Sequence, residues 1–78
     1  MAATPNPPGM HRVPVPPGGR PPFRYAILDG EQVIGHTERR AESDIWYWLA
    51  IPLGETAPRW FPRNRHQQGA MAWLRDVS

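Results

Sequence analysis

The stretch DIWYWLAIPLG, from Asp44 to Gly54, constrains the fold of this chain more than any other. Aromatic and aliphatic residues stand almost side by side in it, and successive side chains of a strand point to opposite faces. A strand here is therefore apolar on both sides. The chain has 78 residues, enough for one small domain. One helix covers one face of a small sheet, so the other face needs a second layer or a partner.

The first 22 residues have a different composition. Proline and glycine make up half of this segment, and no apolar period is visible in it. Such a segment buries too little surface to offset its chain entropy. We therefore expect a disordered Pro/Gly-rich tail over residues 1–22 and a folded domain over 23–78. Pro-x-x-Pro spacings at 5–8 and 14–17 could also dock in an aromatic groove.

Three strands and one helix are predicted in the domain. FRYAILD precedes the turn dipeptide Asp29-Gly30, and VIGHTERR follows it at hairpin distance. The predicted strands cover residues 23–28, 33–39 and 45–53, and the predicted helix covers 65–77. The expected fold class is α+β, a three-stranded antiparallel sheet packed against one C-terminal helix in the order β-β-β-α.

The helix prediction rests on a capping signal and an apolar stripe. Asn64 can cap the first turn while Gln67, three residues later, reaches back to it. Gly69 costs about 1 kcal/mol in a helix interior, so we expect it to provide close approach to the sheet. The expected buried stripe, spaced i, i+3, i+4, i+7, consists of Ala70, Trp73, Leu74 and Val77.

Alternation divides the third strand into two faces. We expect the core face to carry Ile45, Tyr47, Leu49 and Ile51. The other face carries Trp46, Trp48, Ala50 and Pro52. We expect this second face to be left uncovered by the helix, as a recognition surface or an oligomer interface. The alternative is that Trp60, Phe61 and the tail fold over it.

The register of the first hairpin stays open. A loop of two or four residues places Tyr25 and Ile27 on one face with Ile34 and His36. A three-residue loop reverses this matching.

The charge of the domain is balanced. All nine basic side chains are arginines, and two of them, Arg12 and Arg20, lie in the tail. Seven arginines and seven carboxylates remain from Phe23 onward, so the domain is neutral overall. Proteins that bind along the phosphate backbone of DNA are usually strongly basic. The neutral charge of this domain therefore counts against simple nonspecific DNA binding.

The residues for common enzymatic chemistry are missing. There is no cysteine, and the histidines at 11, 36 and 66 lack metal-ligand spacing. GGR in the tail has no strand before it and no helix after it, unlike a phosphate loop. We expect no enzyme, catalytic residue, metal, cofactor or small-molecule substrate. No apolar run could span a bilayer or form a signal peptide, so we expect a cytoplasmic protein.

Cationic side chains gather where the helix is expected to begin. They are Arg59, Arg63, Arg65 and His66. The positive end of a helix dipole disfavours cations, so an anion among them would explain the cluster. Alternatively, these side chains extend into water or pair with Glu38, Glu42 or Asp44.

The succession FRYAILDG, VIGHTERR, IWYWLAIPL and a helix ending AMAWLRDV resembles known small DNA-binding domains. It is similar to the N-terminal arm-binding domains of phage integrases and to plant ethylene-response-factor domains, over residues 23–78 and with Ala70 and Leu74 in the packing stripe. In those families an uncovered sheet face enters the DNA major groove with arginine and tryptophan side chains. The resemblance implies contacts from Arg24, Arg39, Trp46 and Trp48.

Two functions follow from this reasoning. The first is a nucleic-acid-binding accessory protein of a phage or mobile element. The second is a protein-interaction module or homodimer through the Trp46 and Trp48 face. The candidate binding residues are Arg24, Arg39, Trp46, Trp48, Arg59, Arg63 and Arg65.

Overall fold

The computed structural model describes residues 6–15 and 24–78, with the backbone alone described for residues 60–64. Its elements are the strands β1 (Met10–Pro14), β2 (Arg24–Asp29), β3 (Gln32–Glu42), β4 (Ile45–Pro52) and β5 (Arg59–Asn64), followed by the helix α1 (Gln67–Val77). The strands form one antiparallel sheet in the order β1-β2-β3-β4-β5. The α+β class with a C-terminal helix is confirmed, but the prediction of three strands is wrong.

β1 lies inside the segment that we expected to be disordered. Met10 is only 3% exposed and belongs to the hydrophobic core. Three hydrogen bonds join this segment to the helix: Arg12 to Gln67, Gln68 to Asn6 and Arg75 to the backbone oxygen of Pro8. Tertiary contacts therefore order residues 10–14 despite their composition. The rest of the predicted tail, at 1–5 and 16–22, lies outside the described residues.

The outer edge of β1 offers few N–H donors for pairing. The Val15 amide donates to the Arg24 carbonyl at 2.8 Å, so in β1 the amides of Met10, Arg12 and position 14 point outward. Pro14 has no N–H, and the Met10 amide donates to the Pro7 carbonyl at 3.1 Å. Among the amides of β1, only that of Arg12 remains on the outer edge, so this edge has few N–H donors for pairing with another strand.

Two short turns connect the central strands. Gly30 has φ +64°, the sign that a type II′ turn needs at its first central position. Ser43 and Asp44 have φ values of 48° and 66°, and a type I′ turn needs positive φ at both positions. The second turn is therefore two residues long, and β3 continues to Glu42.

A bulge sets the register of the first hairpin. Ile27 pairs with Gly35 and Leu28 pairs with Val33, which leaves Ile34 as an extra residue. Tyr25 consequently pairs with Thr37. The loop has two residues, yet the bulge produces the matching that we expected from a three-residue loop.

The helix packs on the face of the sheet that we expected to be uncovered. This helix face carries Met10, Ile27 and Ala50, which form a core with Ala70, Met71 and Leu74 of α1. The indole of Trp48 packs against the same core. The prediction that Trp48 lies on an uncovered face is therefore wrong. Tyr47, Leu49 and Ile51 lie on the opposite face and are nevertheless buried.

The helix begins later than predicted. Its N-cap is His66, with no side-chain cap, and Asn64 belongs to β5, so the predicted capping box does not form. Gln67 is instead buried, and its amide Nε2 donates to Thr37 Oγ1 at 3.0 Å.

The buried stripe of the helix also differs from the prediction. Met71 occupies the core, whereas Val77 is exposed. Gly69 is exposed as well, so the expected close approach at this residue does not occur. Within the described part of the chain, no helix is both long and apolar enough to cross a membrane.

Candidate nucleic-acid interface

The helix leaves one end of its own sheet face open. Its first residue, Gln67, contacts Thr37, and the β3–β4 hairpin continues for two more cross-strand pairs on this face. These pairs are Arg39 with Trp48 and Ala41 with Trp46. We call Tyr25, Arg39, Trp46 and Trp48 the Trp46 patch.

Trp46 is the exposed aromatic group of the patch. Its relative exposure is 50%, and the guanidinium carbon of Arg39 lies 4.2 Å from its ring centroid. Cation–π contacts of this kind contribute about 0.5–1 kcal/mol at exposed sites. Arg39 thus holds the indole in place at the surface of the hairpin.

The inner side of the patch is anchored in the core. The rings of Trp48 and Tyr25 lie 5.8 Å apart at an interplanar angle of 53°, and both side chains pack against the core cluster. The guanidinium of Arg12 lies 6.0 Å from the Tyr25 ring centroid, at the border of the patch. The aromatic surface therefore rests on a packed base.

Charge is divided unequally between the two faces. Arg12 and Arg39 lie on the helix face, and the exposed Arg65 follows Asn64, whose backbone pairs with Trp48. Among the described strand positions of this face, the one carboxylate is Asp29, which pairs with Met10 at the end of β2 away from Trp46, and the first helical turn has no acid. A domain that is neutral overall thus has a positive side around the Trp46 patch.

The opposite face carries charges of both signs. Arg40 pairs with Glu38 there at 2.8 Å. Burial lowers the pKa of His36 below its ordinary value of 6.5, and the positive charge of Arg24 lowers this pKa further. A polyanion would meet less net positive charge on this face than on the other.

The structure brings together only part of the predicted site. Arg39, Trp46 and Trp48 are neighbours, and Arg65 comes one residue after Asn64, the backbone partner of Trp48. Arg24 lies on the opposite face, because it pairs with Glu38. Arg59 makes a bidentate ion pair with Glu55, at 3.0 and 3.1 Å. The side chain of Arg63 is outside the described part of the structure.

Arg12 and Tyr25 were missed by sequence reasoning. Arg12 lies in the segment whose composition indicated disorder, and no local signal would have placed it in a strand. Tyr25 could have been placed only by knowing about the bulge, because the shifted pairing sets its face.

A cleft of about 320 Å³ lies at the other end of the helix. Its lining is mainly apolar and includes Val33, Ile34, Pro52, Leu53, Leu74 and Val77. Within the described residues, no group of three or more His, Cys, Asp or Glu side chains could hold a metal ion.

No family model, curated protein or solved structure matches this chain. The resemblance to phage integrase arm-binding and ethylene-response-factor domains therefore stays a prediction. The case for function rests on the chemistry of the Trp46 patch.

Proposed function

We propose that this protein is a small, non-enzymatic nucleic-acid-binding module that uses the Trp46 patch. The contact between Arg39 and the half-exposed indole of Trp46 carries the proposal. It combines a flat surface on which a base can stack with a cation that can approach the adjoining phosphate. Arg12 adds positive charge at the border.

The neutral net charge is compatible with this proposal because the carboxylates are segregated. The acidic strand residues nearest the patch, Glu38 and Glu42, belong to the opposite face of β3. Phosphates near the Trp46 patch would therefore meet a locally positive field, although the whole domain would attract them weakly. We expect modest affinity that decreases with salt, with a slope set by the few arginines at the patch.

Two neighbouring arginines provide a matched test. Arg39 lies on the helix face and Arg40 on the opposite face, so each can be replaced by alanine with the same loss of charge. Fluorescence anisotropy of labelled oligonucleotides at low salt should show binding by the full chain. Arg39→Ala should weaken it about tenfold, and Arg40→Ala less than about twofold. Absence of binding to any nucleic acid, or equal losses for the two variants, would contradict the proposal.

A second candidate function is homodimerisation through the same surface. The half-exposed indole of Trp46 favours it, because tryptophan is enriched at binding hot spots. Sedimentation equilibrium should then show a dimer that Trp46→Ala converts to a folded monomer. A wild-type protein that is monomeric at high concentration would remove this candidate.

A further inference from the structure

We infer that the nucleic acid recognised by the Trp46 patch is single-stranded rather than duplex. This inference rests on the proposed function and adds the class of ligand. Three features of the structure support it: the position of the helix, the charge at the hairpin tip and the exposure of one indole.

The helix restricts access to the sheet face. α1 packs on the same face as the Trp46 patch, with Gln67 against Thr37. A B-DNA major groove is about 12 Å wide and admits one helix or one two-stranded ribbon. A sheet with a helix on its contacting face is too thick to lie in such a groove. Only the part of the β3–β4 hairpin beyond Gln67 could enter it.

The tip of this hairpin has the wrong charge for entering a groove. Glu42 precedes the turn and Asp44 lies within it, and both are exposed. Insertion of the hairpin would carry these two carboxylates between two rows of phosphates, where like charges repel. A single strand can instead lie along the flank of the hairpin, where Arg39 and Trp46 are, so that at most one of its ends is near the tip.

The exposed indole suits an unpaired base. The Arg39 guanidinium lies over the Trp46 ring, and Trp46 remains half exposed. Stacking on an aromatic side chain requires a base whose face is free, as in a single strand, whereas the bases of a duplex are stacked on each other. Because every base has a π face, this contact predicts little sequence preference.

The bound single-stranded nucleic acid can continue from Trp46 toward positively charged side chains. Trp48 and Tyr25 lie inward from Trp46, and Arg12 lies over Tyr25. The backbone pairing of Trp48 with Asn64 places Arg65 on the neighbouring strand end. A few consecutive nucleotides would therefore pass from the indole to these guanidinium groups.

The test compares single strands and duplexes of equal length, both as DNA and as RNA. Fluorescence anisotropy with the full chain at low salt should show single strands binding at least about tenfold more tightly than either duplex. The DNA and RNA arms show which single strand is preferred. Trp46→Leu should weaken single-strand binding about tenfold, whereas Trp46→Phe, which keeps a ring, should retain most of it. Leu53→Ala, at an exposed site beside the distant cleft, is the control.

The outcomes separate this inference from the proposed function. Equal or tighter binding to duplex would overturn the single-strand inference while nucleic-acid binding stands. Equal losses for the Leu and Phe variants would show that Trp46 does not stack on a base. Binding to neither form would remove both proposals. Circular dichroism of each variant would show that any loss is not due to unfolding.

Discussion

Gly35 of β3 lies directly against Leu74 of α1. A β-carbon on Gly35 would stand 2.9 Å from Leu74 Cδ2 and 2.5 Å from the backbone oxygen of Ile51. Gly35 also follows the bulge residue Ile34 and has φ +157°. The sheet and helix therefore meet at a position where only glycine fits without displacement.

Gly35→Ala should destabilise the protein strongly. The new methyl group would overlap a backbone oxygen that cannot rotate away, and overpacking of this kind costs about 1–3 kcal/mol in addition to backbone strain. Gly54→Ala is the matched control, because it has φ +85° but nothing within 4 Å of its β-carbon. Urea unfolding should show a loss larger at Gly35 than at Gly54. Equal losses would contradict the close contact.

Thr37→Val should leave the buried amide of Gln67 without an acceptor. The hydrogen bond from Gln67 Nε2 to Thr37 Oγ1 is 3.0 Å long, and both side chains are buried. An unsatisfied buried donor costs about 1–3 kcal/mol. Adding Gln67→Met removes the amide that Thr37→Val leaves unpaired, and because Gln67→Met also loses the Arg12 hydrogen bond in either background, the double-mutant cycle isolates the Thr37–Gln67 pair. A double-mutant cycle by urea unfolding that gives purely additive losses would argue against this pair.

Met10→Ala should destabilise the whole domain if β1 belongs to the core. The side chain is buried, and truncation of a buried methionine costs about 2–5 kcal/mol. Val13→Ala in the same strand removes a side chain that is 49% exposed, so it should cost less than about 0.5 kcal/mol. Thermal unfolding of the two variants measures the difference. If Met10→Ala were as stable as wild type, β1 would not contribute to the core, and the prediction of a disordered tail would hold for this segment.

His36 should make folding less favourable as pH decreases below 6.5. Burial and Arg24 lower its pKa in the folded state, so the unfolded chain binds a proton first as pH decreases. The contribution of neutral His36 to the free energy of unfolding is fully present above the pKa of this histidine in the unfolded chain. It is lost as the pH decreases toward the lower pKa of His36 in the folded state. Urea unfolding across this range should show a steeper pH dependence for wild type than for His36→Gln.

Local sequence patterns predicted the central elements of the fold. β-branched and aromatic residues on either side of Asp29-Gly30 indicated the β2–β3 hairpin, and the stretch from Ile45 to Pro52 is a strand as expected. The helix was predicted from its apolar spacing, although it begins at Gln67. These features depend on residues close in sequence, which is why local reasoning finds them.

Only the tertiary structure decided which face of β4 the helix covers. Both faces of this strand are apolar, so its sequence cannot distinguish them, and the bulge at Ile34 shifts the side of Tyr25 and Ile27 relative to β3. β1 is an ordered strand because the Met10 side chain packs in a core formed by residues that are distant in sequence. The Trp46 patch arises for the same reason, because Tyr25 and Trp48 are distant in sequence and their rings meet through strand pairing. Alternation determines which side chains share a face, whereas packing against distant residues determines which face is covered.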